Sequence, residues 1–285
     1  MYRSVQHSLS TKIPGLSVYQ IKMLALVFMT LDHIGKNLFF LLPPLVASAL
    51  QLVGRLAAPL FLFALIVGLQ HTRSKVRYAL RMYLASWGLY LLHALIVLLE
   101  LDHPDVLGFH FPDDIFLTWF WVILLACAAE SIRKFCSGKQ LRALLPLLCV
   151  ALFAALSIVL AQCFPDSTLR FLLFPVPGPE LTYWYFVPLG VVMYLVRSKR
   201  NICLIFGGFS LIFLLVTVLR LLSDQDFWGV LFFSDNQWAM LFSLPFMALC
   251  SERRGRPAKA FFYGYDLLHG TALYVLGLLL YPLIP

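Results

Sequence analysis

What most limits this chain is a recurrence of apolar stretches long enough to cross hydrocarbon, at about 19–41, 56–71, 78–100, 114–132, 141–163, 181–197, 201–222, 237–250 and 259–283. A bilayer core of about 30 Å needs about 20 apolar residues in a helix, because every backbone N–H and C=O must be satisfied within the segment. The stretches at 56–71 and 237–250 are short for that task. The piece at 42–54, which follows Pro43 and Pro44, either extends the second span or is re-entrant. The pattern predicts an all-α, polytopic integral-membrane helical bundle of about nine transmembrane helices. It forms a single domain over residues 1–285. Hydrophobic residues make up 61% of the chain and charged ones 13%, with a mean hydropathy of +0.86. A water-soluble core cannot hide that much apolar surface, which excludes a soluble enzyme and a secreted disulfide scaffold.

The charges alternate between successive gaps. Arg73, Lys75 and Arg77 fall in one gap, Arg133, Lys134 and Lys139 in another, then Arg197, Lys199 and Arg200, then Arg253, Arg254, Arg256 and Lys259. The gaps between these hold Asp102, Asp105, Asp113 and Asp114, then Asp166 and Glu180, then Asp224, Asp226 and Asp235. Basic loops stay in the cytoplasm, so the N-terminus is expected inside and the C-terminus outside. The net charge of +8 is therefore topology, and no nucleic-acid partner is expected. The first 18 residues lack the compact apolar core and cleavage site of a signal peptide, so the first span is expected to be retained. No loop is long enough for a soluble catalytic domain, and any chemistry must lie between the helices or at their mouths.

Cysteines 127, 136, 149, 163, 203 and 250 contain no CxxC pair and no metal-ligand spacing with histidine. They read as small apolar packing residues, and no metal is expected. Phosphate-binding loops, dinucleotide fingerprints, nucleophile elbows and internal repeats are missing from the sequence.

Ionisable residues inside spans are costly and therefore mark function. The first span carries Asp32, His33 and Lys36. Asp32 and Lys36 are four apart and can pair, whereas His33 points elsewhere and must find a partner on another helix. It lies about 16 Å from Lys22 along the helix, near mid-membrane. The last span carries Asp266 and His269 on one face, where the carboxylate can fix the imidazole tautomer. His269 lies about 15 Å from Lys259, at a depth matching His33. Both histidines also fit a simpler role as hydrogen-bonded packing residues. Arg55, at the head of the second span, either snorkels or holds an anionic group. His71, Arg73 and Arg81 belong to a dense basic cluster at the cytoplasmic mouth, with Arg81 one turn inside its span. Gln237-Trp238 and the tyrosines at 183 and 185 sit where interfacial anchors belong. His103 and His110 lie in an acidic loop with no defensible ligand spacing.

Several of these segments together resemble the TraX family of integral-membrane proteins. One runs Leu24-Ala25-Leu26-Val27-Phe28-Met29-Thr30-Leu31-Asp32-His33-Ile34-Gly35. A second runs from Gly54-Arg55 through Pro59-Leu60-Phe61 and Gly68 to His71-Thr72-Arg73, Tyr78 and Arg81. A third links Gln237-Trp238, Pro245-Phe246, Arg254-Gly255, Lys259 and Phe262-Tyr263 to His269. The resemblance implies N-terminal acetylation of a pilin subunit, or of another envelope acceptor, at the bacterial inner membrane, with acetyl-CoA as donor. On that reading His33 or His269 is the base and Asp266 orients His269. Asp32 balances Lys36 or a neighbouring arginine, and Arg55 stabilises the oxyanion. His71, Arg73 and Arg81 receive the phosphates of CoA. The rival readings are a polytopic transporter or flippase, whose intramembrane charges line a substrate path, and a non-catalytic pilus-assembly factor.

Overall fold

A computed structural model describes residues 15–99, 115–135, 185–223, 236–251, 253–256 and 258–281, with scattered helical positions between 138 and 163. The acidic gaps, including His103, His110, Asp114 and Tyr183, lie outside the described residues, as do Cys136 and Cys149. Described elements are helical, with no strand among them. They are α1 (Val18–Asn37), α2 (Pro44–Gly54), α3 (Ala57–Gln70), α4 (Lys75–Leu98), α5 (Ile115–Phe135), α6 (Phe186–Val196), α7 (Lys199–Ser223), α8 (Leu244–Leu249) and α9 (Lys259–Leu280). A 3-10 segment, Asn236–Ser243, leads into α8.

Four of these are long and apolar enough to cross a membrane: Pro44–Gln70, Lys75–Ile96, Ile115–Lys134 and Lys199–Leu222. The helices α1 and α9 are also long, at 20 and 22 residues, yet fall outside that set. They carry Asp32, His33 and Lys36 on one and Asp266 and His269 on the other, and those polar side chains lower their hydropathy.

The short second stretch is completed by the piece before it. Pro44 starts α2 at a position where its missing N–H costs nothing. With α3 it forms a 27-residue span, about 40 Å of helix. The span breaks at Arg55–Leu56 because Pro59 has no N–H for the Arg55 carbonyl four residues back. The other short stretch is lengthened differently. Eight 3-10 residues rise about 2.0 Å each and the six of α8 about 1.5 Å each. Together they cover about 25 Å, where the same residues in an α-helix would cover about 21 Å.

At the centre stands α3. Leu60, Leu62, Phe63, Ile66 and Leu69 are fully buried, as expected of a helix that is apolar all round. By contrast α7 exposes Leu204, Leu211, Ile212, Leu215, Leu219 and Leu222, a face suited to lipid.

The basic segments converge at one end of the bundle. Lys75, at the start of α4, and Arg197, after α6, both pair with Glu130 near the end of α5. Arg254 Nη2 donates to the His71 carbonyl at 2.9 Å, and Lys199 Nζ donates to the carbonyls of Ala248 and Cys250 at 3.0 and 2.8 Å. The residues before α1 join the same end: Leu16 exchanges backbone hydrogen bonds with Leu249 and Ser251, and the Val18 N–H donates to the Arg253 carbonyl. Gly255, with φ of 71°, permits this contact, since a Cβ there would lie 2.6 Å from Tyr19 Cβ.

Candidate active site

The site is assembled where α1 meets α2, α3 and α9. Two glycines let these backbones approach, as small residues do between membrane helices. A Cβ on Gly35 would lie 2.7 Å from the Ala47 carbonyl oxygen, and one on Gly54 would lie 2.3 Å from Asp32 Cβ. Gln51 Nε2 reinforces the first contact by donating to the Gly35 carbonyl at 3.1 Å.

Asp32 is 7% exposed. Its Oδ2 pairs with Lys36 Nζ at 2.8 Å, one turn along α1, and its Oδ1 lies 3.8 Å from Arg55 Nη2. That longer distance is an ion pair without a hydrogen bond. Asp32 Oδ1 and Arg55 Nε are consequently both buried without a hydrogen-bond partner. An unpartnered guanidinium N–H in a buried site is a donor held in reserve, and its desolvation costs about 1–3 kcal/mol if nothing fills it.

The two histidines meet. His33 Nδ1 and His269 Nε2 are 2.8 Å apart, and the rings lie nearly parallel. The other nitrogen of His269, Nδ1, is 2.7 Å from the Tyr265 carbonyl oxygen. A carbonyl only accepts, so in the neutral ring Nδ1 carries the proton and Nε2 is bare. His33 Nδ1 must then donate to it, which leaves the lone pair on His33 Nε2. One helical turn of backbone, Tyr265 to His269, thus sets the tautomer, while Asp266, the orienting group expected from the sequence, lines the adjoining cavity. The Tyr265 side chain adds to it. Its ring stacks on His269 at 4.8 Å. Its hydroxyl lies 2.8 Å from Thr30 Oγ1, whose own proton goes to the Leu26 carbonyl. Tyr265 therefore donates to Thr30 and fastens α9 to α1 beside the histidine pair.

A narrow cavity of about 50 Å³ adjoins these groups, lined by Asp32, His33, Arg55, Asp266, Gln237 and an apolar wall that includes Phe61. Gln237, expected as an interfacial anchor, reaches it from the 3-10 segment. The mouth cluster lies elsewhere. His71 and Arg55 stand at opposite ends of α3, about 24 Å apart by helical rise. His71 Nδ1 bonds the Val67 carbonyl at 2.8 Å, and Arg81 Nε donates to the Arg77 carbonyl at 3.1 Å with its guanidinium over Tyr78. Arg73 is exposed.

The family model for the TraX protein matches residues 17–277. The chain belongs to the TraX family. The match begins at the N-cap of α1, Ser17, and continues past His269, so the TraX region takes in both histidine helices and the cavity between them. No curated protein and no solved structure matches the chain significantly.

Reading the sequence missed one further TraX-region cluster. Glu130 accepts from Tyr194 Oη at 2.7 Å and from Arg197 Nη2 at 2.5 Å, and pairs with Lys75, which also donates to Tyr194 Oη at 2.6 Å. An acid inside the apolar stretch 114–132 was the available signal, the same one that singled out Asp32.

Proposed function

We propose that this chain is a membrane-embedded acyltransferase. It transfers acetyl from acetyl-CoA to the N-terminal amine of a pilin-like subunit or another envelope acceptor. Membership of the TraX family is consistent with a pilin-acetylation role. The observation that carries the reading is the His33–His269 contact, beside a cavity that also holds a buried arginine with a spare donor.

Acetyl-CoA supplies an activated thioester carbonyl. The cavity has room for an acetyl group and excludes a nucleotide, which must remain at the basic end, where His71, Arg73 and Arg81 stand. His33 Nε2 is the base: the hydrogen-bond chain from Tyr265 through His269 keeps it unprotonated and aligned. The acceptor nitrogen bonds to the carbonyl carbon as the C–S bond breaks. The amine proton passes to His33 Nε2 and then to the departing thiolate, so one thiol is released for each amide formed. Arg55 lines the cavity, and its unpartnered Nε supplies a donor for the charge that develops on the carbonyl oxygen. Asp32, itself paired with Lys36, holds that arginine in place. Nine spans with the N-terminus on the cytoplasmic side of the inner membrane complete the reading. Support for this topology comes from the convergence of the four basic segments and residues 16–18 at one end.

The buried Asp32–Lys36–Arg55 cluster also favours a second reading, a transporter or flippase whose substrate displaces one of these ions. Thiol release from acetyl-CoA by the purified protein, with and without envelope extract, separates the two. Acceptor-dependent release that disappears in His33→Ala is the expected result. No release at all, together with no binding of CoA, overturns the acyltransferase in favour of the carrier.

A further inference from the structure

A recess of about 330 Å³ opens at the basic end between α5 and the α6–α7 junction, lined by Glu130, Arg133, Lys134, Leu195 and Arg197. Positive-inside topology asks only that basic residues sit near the surface; it does not ask that they be fixed. Here two guanidinium groups from different elements are held around one space. Arg133 Nη1 donates to the Leu195 carbonyl at 3.3 Å, and Arg197 Nη2 grips Glu130 Oε1 at 2.5 Å. Arg197 does so from a left-handed backbone with φ of 60°, a conformation that persists in a non-glycine residue only where its surroundings impose it.

The recess is also unbalanced in charge. Its single carboxylate, Glu130, is shared by Lys75 and Tyr194 on one oxygen and Arg197 on the other. Arg133 and Lys134 have no carboxylate partner among the described residues. Oriented guanidinium groups beside a free ammonium match a phosphate better than any other common anion, and the volume suits a group of headgroup or nucleotide size.

We infer that this recess binds a phosphate ester. Two sources share that chemistry: the 3′,5′-bisphosphate nucleotide of the CoA donor and the headgroup of an anionic lipid. The first rests on the acyltransferase reading and deepens it. Phe116 in the cavity wall and Glu130 at the recess are 14 positions apart on α5, about 21 Å. A donor that carries its thioester on a long flexible arm fits both ends of that helix.

The test is binding by the full-length protein in neutral detergent, with adenosine 3′,5′-bisphosphate as one probe and phosphatidylglycerol nanodiscs as the other. Wild type is expected to bind at least one probe, and Arg133→Gln/Lys134→Gln at least about 10-fold more weakly. Arg256→Gln, an exposed basic residue of the same end that belongs neither to the recess nor to the donor-binding cluster, is expected to bind like wild type. Arg197→Gln, which also strips Glu130 of a partner, is compared only if its thermal transition matches wild type. Binding of the bisphosphate alone assigns the site to the donor, and binding of the lipid alone assigns it to the membrane. Bisphosphate binding without thiol release keeps the site and removes the acyltransferase. Equal binding by wild type and Arg133→Gln/Lys134→Gln, or binding of neither probe by wild type, overturns the inference.

Discussion

Among the described residues, two clusters of charge are built on opposite plans. Around Glu130 each carboxylate oxygen has a donor, drawn from α4, α6 and the residue after α6. Around Asp32 the pairing is incomplete: Oδ1 has no hydrogen bond, Arg55 Nε has none, and His33 Nε2 is left with a lone pair. Buried polar groups in folded proteins are normally satisfied, so a fully matched network reads as a clamp and a partly matched one as a place where something else must arrive. The difference teaches where chemistry is to be sought. On the acyltransferase reading it lies with the charges the fold leaves unfinished, while the completed ones fix helix positions and shape the recess beside them.

The sharpest way to break this comparison is to remove the base. His33→Ala is expected to lower acetyl transfer about 10³-fold, and His269→Ala, which removes only the ring that aligns it, about 10²-fold; thiol release by the two variants checks the order. The reverse order makes His269 the base and rejects the tautomer set by Tyr265. Next, Arg55→Lys keeps the charge but removes the Nε donor, and kcat is expected to fall about 10²-fold with little change in KM. A rise in KM alone would mean that Arg55 holds substrate rather than the developing charge. Glu130→Gln tests the finished cluster. It leaves two cations facing a neutral amide and is expected to cost about 2 kcal/mol, read as an earlier thermal transition in detergent. Smallest is Tyr265→Phe, which keeps the carbonyl and the stacked ring but loses the bond to Thr30. A cost of about 1 kcal/mol in stability is expected, with activity within a few-fold of wild type. Loss of activity on the scale of His269→Ala would make the phenol itself a participant.

Much of this was legible before any coordinates. Hydropathy located the helices, and the cost of burying ions singled out Asp32, His33, Arg55, Asp266 and His269 without knowledge of their neighbours. Contacts between distant helices were not legible: residue spacing gives depth within a span but not azimuth, so that His33 meets His269 follows only from packing. The part that the Tyr265 carbonyl plays at His269 was hidden for a different reason. A carboxylate three residues away on one face draws notice by its charge, whereas the backbone carbonyl four residues back is present in every helix and leaves no mark in the sequence. The stretch at 237–250 is short for a span only at an α-helical rise, and a 3-10 segment has no distinct hydrophobic signature.

The contact between His33 and His269 spans 236 positions of sequence, and this has a consequence in time. At about 5–20 residues per second, the ribosome makes α1 and then takes on the order of tens of seconds to make α9. Through that interval the first helix sits in the translocon or the lipid with its imidazole unaligned and its neighbouring threonine without the tyrosine. The strap from Leu16 and Val18 waits equally long for the backbone of Leu249, Ser251 and Arg253. A ribosome that stalls before α9 therefore leaves the histidine pair unmade, and the proposed site is complete only once α9 has been synthesised.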